Sequence, residues 1–469
     1  MLHKWIAAFV FPALWAGSAL ADDVPWSEKA VPPVPDLVTS GTLNRAELDA
    51  LIDYGEILFG ARFTTLDGAG RQMATQAIIP TKRKRPPREE FARTAGLDAN
   101  SCASCHHTPV IGGAGDFAAN VFVSEGFDNA DFDSTDPQFS NERNTNHLFG
   151  AGLVELLARE MTADLQAIRA NAAQQARAEG RSVTLALETK GVDFGAITVA
   201  ADGMVDLSGL DGVDTDLVIR PFSQKGVMTS LRQFTVNALN HHHGIQPDER
   251  FGTRWTGEAD FDEDGMDNEM SADHVSALVA WQATLPPPAP FVPDNAAWRE
   301  AAARGSDVFD TIGCASCHVR ALPLESLQFA DTGPYDTAGT LRAGEVDGAV
   351  YDLALLDWAA NLPRNADGHV MVPLFGDLKR HRIADREIAA LGNELLAQRF
   401  VDRDVFQTSE LWGIADTDPY GHRGSMTTLD EVIRAHGGDA YDQGRAYEAL
   451  PDDARSDLIA YLKTLVIQP

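Results

Sequence analysis

All four cysteines of the chain lie in two copies of one motif, Cys-Ala-Ser-Cys-His, at residues 102–106 and 314–318. Two cysteines three positions apart can bond to the vinyl-derived carbons of one porphyrin, and a histidine directly after them then lies beneath the iron. A disulfide or a structural zinc site would not explain a histidine after both pairs. The motifs therefore predict two covalently bound haem c groups. The predicted attachment residues and proximal iron ligands are Cys102, Cys105, His106, Cys314, Cys317 and His318.

The first 21 residues have the features of an export signal. Lys4 precedes a mostly apolar stretch that ends at Ala16, and Ala19-Leu20-Ala21 forms a small-residue cleavage site ahead of Asp22. This pattern predicts a signal peptide over residues 1–21 and a periplasmic protein. The apolar stretch is too short for an uncleaved anchor, and no other segment is long enough, so we expect no membrane span after cleavage.

The net charge of −31 argues against nucleic acid as a partner, because phosphate backbones require clustered Lys and Arg.

A chain of 469 residues exceeds what one core usually encloses, so two or more domains are expected.

Helix-like stretches on both sides of each cysteine motif indicate an internal repeat. Gly55 and Gly305 precede the motifs, and Trp281 and Tyr461 lie in the two closing helices. A glycine in one helix lets an aromatic residue of another approach its backbone closely. We therefore expect a mainly α fold of two tandem cytochrome c-like haem domains.

The proline-rich segment at 286–290 predicts the boundary between these domains. The first domain is expected at 22–286 and the second at 296–469. The excess length of the first lies partly at about 162–220, where a polar helix-like segment precedes short alternating runs. This indicates a small α+β insertion.

An acidic loop at 260–271 has the spacing of a calcium-binding loop. Asp260, Asp262 and Asp264 occupy its first, third and fifth positions, and glycine follows at the sixth. Ser271 replaces the usual glutamate at the twelfth position, while Glu269 stands two residues earlier. The loop predicts one Ca²⁺ ion that braces the contact between the two units, and a solvated acidic loop is the alternative.

Further short motifs extend over most of the chain: Leu148–Glu155, Arg220–Phe222, Ser230–Phe234, His242–Gln246, Asp377–Leu378 with His381, Leu411–Gly413 and Pro419–Gly424. Together they resemble the di-haem oxidoreductases, also called thiol oxidoreductases, which are relatives of the bacterial di-haem cytochrome c peroxidases. The resemblance implies that a soluble donor, such as a small cytochrome or copper protein, reduces the C-terminal haem. Electrons then pass to the N-terminal haem, where hydrogen peroxide or a similar small oxidant is reduced.

Two other functions remain as alternatives to this peroxidase-like activity. One is a non-catalytic di-haem electron-transfer cytochrome in which both haem irons are six-coordinate. The other is an oxidase of a specific partner protein or thiol.

The resemblance also implies a distal ligand for the C-terminal haem. The relatives have Met or Tyr after a Thr-Leu-x-Glu helix, and this chain has His436 at that position. His381 is the alternative, because the chain after a haem motif commonly folds back and supplies the second iron ligand. The family often has Met two residues beyond it, where Ile383 stands here.

Peroxide cleavage requires an open iron face, a base, and a polar or cationic group that assists charge separation. The candidates beside the N-terminal haem are Glu155, His147 and Arg143, together with His242 and His243. An ordinary capped or exposed helix position is the alternative for Glu155. The candidate aromatic steps for electron transfer are Trp281, Trp298 and Trp412.

Overall fold

The computed structural model describes residues 26–70, 95–96, 98–123, 140–337, 339–394 and 401–467. The predicted signal peptide lies outside the described residues. Within those ranges, no helix combines the length and the apolar character that crossing a membrane requires.

Helices and strands are both distributed along the chain. The α-helices are α1 (Arg45–Gly60), α2 (Ala151–Glu179), α3 (Leu231–Ala238), α4 (Asp248–Phe251), α5 (Thr253–Thr256), α6 (Ala272–Thr284), α7 (Ala296–Thr311), α8 (Leu429–Arg434), α9 (Tyr441–Glu448) and α10 (Asp452–Leu462). The strands are β1 (Gly41–Thr42), β2 (Ala118–Val123), β3 (Ser140–Asn144), β4 (Val183–Thr189), β5 (Val192–Val199), β6 (Val205–Asp206), β7 (Ala289–Pro290), β8 (Leu322–Leu324), β9 (Gln328–Ala330), β10 (Ala349–Asp352), β11 (Val370–Val372), β12 (Arg380–Arg382), β13 (Val405–Gln407) and β14 (Leu465–Val466).

The described residues mix helix and strand, so the expectation of a mainly α protein was too narrow. The strands form small separate sheets: β1-β10-β9, β4-β5-β6, and the pairs β2-β3, β7-β14, β8-β11 and β12-β13. Strands β8 to β13 span only three or four residues each, which is too short for an alternating pattern to be recognised.

The predicted contact between a glycine and a closing helix is confirmed in two helix pairs. A Cβ on Gly55 of α1 would overlap the carbonyl oxygen of Ala277 in α6 and lie 2.8 Å from the Cβ of Trp281. In α7 and α10, a Cβ on Gly305 would lie 2.8 Å from the Cβ of Tyr461. Each pair thus packs without a side chain between its helices.

An aromatic residue one turn after each glycine extends the same similarity. The Phe59 ring lies 4.2 Å from the Trp281 ring, and the Phe309 ring lies 5.7 Å from the Tyr461 ring, measured between centroids. The two helix pairs therefore direct one phenylalanine each toward the cysteine motif that follows.

The insertion at about 162–220 contains the predicted helix and hairpin. Helix α2 begins earlier than expected, at Ala151, and continues to Glu179. Strands β4 and β5 then pair in antiparallel fashion, and β6 adds to β5. Leu165, Leu187 and Phe194 are fully buried, so this sheet packs on the helix.

The larger hydrophobic core contains residues from both sides of the proline-rich segment. Leu51 and Leu278 belong to it, as do Phe329 and Tyr351. Strand β1 also pairs in parallel with β10, which places Gly41 opposite Ala349. The segment after the second cysteine motif thus packs against the first half of the chain.

Candidate functional site

The two cysteine motifs have the same backbone geometry. Residues Cys102–Ser104 and Cys314–Ser316 each form one 3₁₀ turn. The amide N–H of His106 donates to the Cys102 carbonyl at 3.0 Å, and that of His318 donates to the Cys314 carbonyl at 3.0 Å. The four thiols are not joined in disulfides. Each motif therefore presents two free thiols and one histidine from a single turn.

Each motif histidine is held by a backbone carbonyl. Nδ1 of His106 lies 3.3 Å from the Gly113 oxygen, and Nδ1 of His318 lies 3.2 Å from the Phe375 oxygen. A carbonyl only accepts, so Nδ1 carries the proton and Nε2 keeps its lone pair. Burial lowers the pKa of both rings to about 4. Both histidines therefore have the neutral form and orientation that a metal ligand requires.

One continuous cavity of about 490 Å³ contains both motifs in its wall. The wall is mainly apolar and includes Phe59 and Phe309 from the two helix pairs. Paired thiols, an anchored histidine and an apolar pocket are the set that covalent porphyrin attachment needs. The residues at both motifs thus fit a c-type haem.

His436 faces the same cavity as His318. Its Nδ1 lies 2.8 Å from the Val432 oxygen within α8 and its cap, so this histidine also keeps the lone pair on Nε2. Burial lowers its pKa. The two rings lie close enough that His436 contributes to lowering the pKa of His318.

His381 also lies at the cavity wall, but its hydrogen-bond partner is a carboxylate and not a backbone carbonyl. Its Nε2 is 2.8 Å from a carboxylate oxygen of Asp377. Burial lowers the pKa of His381, but the hydrogen bond to Asp377 and the neighbouring Cys317 thiol outweigh this and raise it to about 10. A protonated imidazole has no lone pair for a metal ion.

Of the three predicted catalytic residues, His147 and Arg143 line the cavity. Glu155 does not line it. Glu155 is fully buried in α2, where it accepts a hydrogen bond from the Leu231 amide at 2.7 Å and pairs with Arg159. Burial raises its pKa to about 7. Its contacts join α2 to α3.

His147 lies between the first motif and Trp412. Its Nε2 is 2.9 Å from the Trp412 carbonyl oxygen, and burial lowers its pKa to about 4. Trp412 itself lines the cavity, whereas Trp281 and Trp298 are not among its lining residues. The Trp412 ring packs on Gly150, where a Cβ would lie 2.5 Å from it.

Arg143 belongs to a buried charged cluster that sequence reasoning did not find. Its Nη1 lies 2.5 Å from Glu394, whose carboxylate is also 3.4 Å from Lys225 Nζ and 3.4 Å from His422 Nε2. Burial lowers the pKa of Lys225 to about 8. Burial and the neighbouring cations Arg143, Lys225 and Arg423 lower the pKa of His422 to about 2. Arg143 and His422 extend from this cluster into the cavity wall.

The histidine triplet lies on a turn of π-helix at Leu239–His243, and all three histidines line the cavity. Such turns are rare and occur frequently at functional sites. His243 Nδ1 lies 2.8 Å from the Ala99 oxygen, and its Nε2 is 3.7 Å from the Cys102 sulfur. Burial lowers the pKa of His242 to about 3, so this ring is neutral.

Glu410 also lines the cavity, and the sequence did not indicate it as a candidate. It lies two residues before Trp412 and lines the cavity. Burial, together with the charge of Asp377, raises its pKa to about 7. Its proximity to the Leu411–Gly413 motif was the only available signal.

The acidic loop lies outside this cavity. Carboxylate oxygens of Asp260, Asp262 and Asp264 lie within 4.8 Å of one another. Burial and the two neighbouring carboxylates raise the pKa of Asp262 to about 8. Burial, followed by the charge of Asp262, raises the pKa of Glu269 well above its ordinary value. The loop therefore concentrates negative charge in a buried place.

No protein-family model and no curated protein matches the chain. Among solved structures, it is similar to hydrazine synthase of Kuenenia stuttgartiensis, with 14% identity and a TM-score of 0.36, over 93% of this chain and 99% of that one. It is also similar to a MauG-like protein associated with microbial copper homeostasis, with 17% identity and a TM-score of 0.30, over 57% of this chain and 78% of that one.

Proposed function

We propose that the protein is a periplasmic di-haem c-type oxidoreductase that reduces hydrogen peroxide or a similar small oxidant with electrons from a soluble donor protein. The observation that carries the proposal is that both cysteine motifs line one cavity with anchored, neutral histidines. Each motif would hold one haem, in units at 22–286 and 296–469. The two matched helix pairs support this division.

In the C-terminal unit, His318 and His436 would hold the haem iron. Both histidines keep the Nε2 lone pair, because their Nδ1 atoms face the carbonyls of Phe375 and Val432. His381 is less suited, since Asp377 favours its protonated form. A pair of histidines favours the ferric state relative to a His/Met pair.

In the N-terminal unit, Arg143 and His147 supply the groups that peroxide cleavage requires. When bound, haem supplies one-electron chemistry and, at an open iron face, reduction of peroxide. Within the described residues, Nδ1 of His147 and Nη2 of Arg143 are buried without a hydrogen-bond partner. His147 can accept a proton there, and Arg143 can stabilise developing negative charge.

The proposal is tested on the purified holoprotein by haem quantification and electron paramagnetic resonance. We expect two haems per chain, one haem in the double variant C102A/C105A, and one in C314A/C317A. In the wild type, fully oxidised or half-reduced, we expect a high-spin signal that peroxide consumes. The C314A/C317A variant should lack turnover with a reduced cytochrome, because its donor-side haem is missing.

Two low-spin haems that ignore peroxide in both redox states would contradict the peroxidase activity and support an electron-transfer cytochrome. A high-spin signal without oxidation of any small electron donor would instead support oxidation of a specific partner protein or thiol. Absence of covalently bound haem would overturn the proposal as a whole.

A further inference from the structure

The carboxylate of Asp262 is buried beside two other carboxylates. The side chain is fully buried, and within the described residues neither of its oxygens has a hydrogen-bond partner. Carboxylate oxygens of Asp260 and Asp264 lie within 4.8 Å of an oxygen of Asp262. A buried carboxylate among like charges is unstable unless it binds a proton or a cation.

The loop backbone holds the other carboxylates in place. The amides of Asp264 and Gly265 donate to the two oxygens of Asp260 at 3.1 and 3.0 Å. Gly265 has a φ of 93°, which a glycine adopts without strain. The loop therefore wraps its side chains around one point, as loops that bind a hard cation do.

Glu269 occupies a pocket that is built for its carboxylate. One oxygen accepts the amide N–H of Gln246 at 2.7 Å. On the other side, Gly68 has a φ of 92°, and a Cβ there would overlap the Glu269 carboxylate. The carboxylate is thus fixed between two segments that are distant in the chain.

The same segment connects the loop to the cavity. Gln246 comes three residues after His243, which ends the π-helical turn. The Asp248 amide donates to the Met270 carbonyl at 2.9 Å, so the strand-like stretch after the turn runs beside the end of the loop. The loop therefore contacts the segment that directly follows the histidine triplet.

We propose that the acidic loop 260–269 binds one Ca²⁺ ion and that this ion holds the π-helical turn of His241–His243 against the cavity. The carboxylates of Asp260, Asp262, Asp264 and Glu269 supply hard oxygen ligands, which suit Ca²⁺. The ion site lies outside the cavity, so this inference does not depend on the proposed peroxidase activity.

The first test is calorimetric titration of the chelator-treated holoprotein with CaCl₂. We expect one ion per chain and a higher midpoint of thermal unfolding in its presence. D262N should weaken binding about tenfold or more. The matched control is D267N, because Asp267 lies in the same loop but is exposed. D264N serves as the second variant if D262N does not fold.

The second test is hydrogen exchange of the peptide 239–248, measured by mass spectrometry with and without Ca²⁺. Exchange should slow on addition of Ca²⁺ in the wild type and in D267N, but not in D262N. No binding to the wild type, or equal binding by D262N and D267N, would overturn the ion site. Binding without any change in exchange would overturn its role in holding the turn.

Discussion

His147 donates a hydrogen bond from Nε2 to the carbonyl oxygen of Trp412 over 2.9 Å. This contact fixes the tautomer of His147 and leaves the lone pair on Nδ1. It also anchors the backbone of Trp412 next to the turn at Gly150, on which the indole ring packs. One histidine therefore positions both a proton acceptor and an aromatic ring at the cavity wall.

The packing of Trp412 on Gly150 predicts a large effect of G150A on stability. Gly150 precedes α2 with a φ of 80°, and Gly180 follows the helix with a φ of 62°. Alanine costs about 1–2 kcal/mol in either left-handed position. Only at Gly150 would the new Cβ also meet the Trp412 ring, at 2.5 Å, which adds about 1–3 kcal/mol.

Denaturant unfolding of G150A and its matched control G180A measures this difference. Equal destabilisation by the two substitutions would show that the indole ring moves away at little cost, contrary to the prediction.

Replacing His436 should change the spin state of one haem, and replacing His381 should not. H436A removes a ring whose Nε2 is available to a metal, whereas H381A removes a ring already bonded to Asp377. We expect a new high-spin signal in the electron paramagnetic resonance spectrum of H436A alone. If H381A gives that signal and H436A keeps the wild-type spectrum, the two assignments must be exchanged.

Glu394 should be essential to the stability of the buried charged cluster. E394Q leaves Arg143 and Lys225 buried without their shared anion, which costs about 3–5 kcal/mol. The control is E345Q, because Glu345 pairs with the half-exposed side chain of Arg342 and should contribute less than about 1 kcal/mol. Urea unfolding distinguishes them, and similar losses for both variants would contradict the assigned role of Glu394.

His422 should make the protein less stable in mild acid. Its pKa in the folded chain is about 2, while an unfolded histidine titrates near 6.5. Below pH 6.5 the unfolded state therefore binds a proton that the native state does not bind. The free energy of unfolding then falls by up to about 1.4 kcal/mol per pH unit for this histidine.

The check is the slope of unfolding free energy between pH 6.5 and 4 in the wild type and in H422Q. We expect a shallower slope in the variant, and an unchanged slope would mean that His422 is already protonated in the native state.

Features encoded by local spacing could be predicted from the sequence. The cysteine motifs drew attention to His106 and His318, which line the cavity, and their role as iron ligands stays a prediction. The repeated glycines predicted the contacts with Trp281 and Tyr461. These features depend on residues within one turn or on a recognisable helix pair. The helix and hairpin of the insertion were also predictable, because their periodicity extends over enough residues.

Features assembled from distant segments could not be predicted. Glu394 meets Arg143 and Lys225 only in the folded chain, and no local pattern marks any of them as a partner. Glu410 has a raised pKa because of burial, which its neighbours in sequence do not reveal. Conversely, Glu155 lies within a family-like motif, yet its carboxylate pairs with Arg159.

The shared core has a consequence for the independence of the two halves. Phe329 and Tyr351 pack in the same core as Leu51 and Leu278, and β1 pairs with β10 across the proline-rich segment. Cleavage at residues 286–290 would therefore yield two fragments that remain bound to each other. Each fragment expressed alone would expose an apolar face, and the two would be expected to recover their fold by mutual complementation.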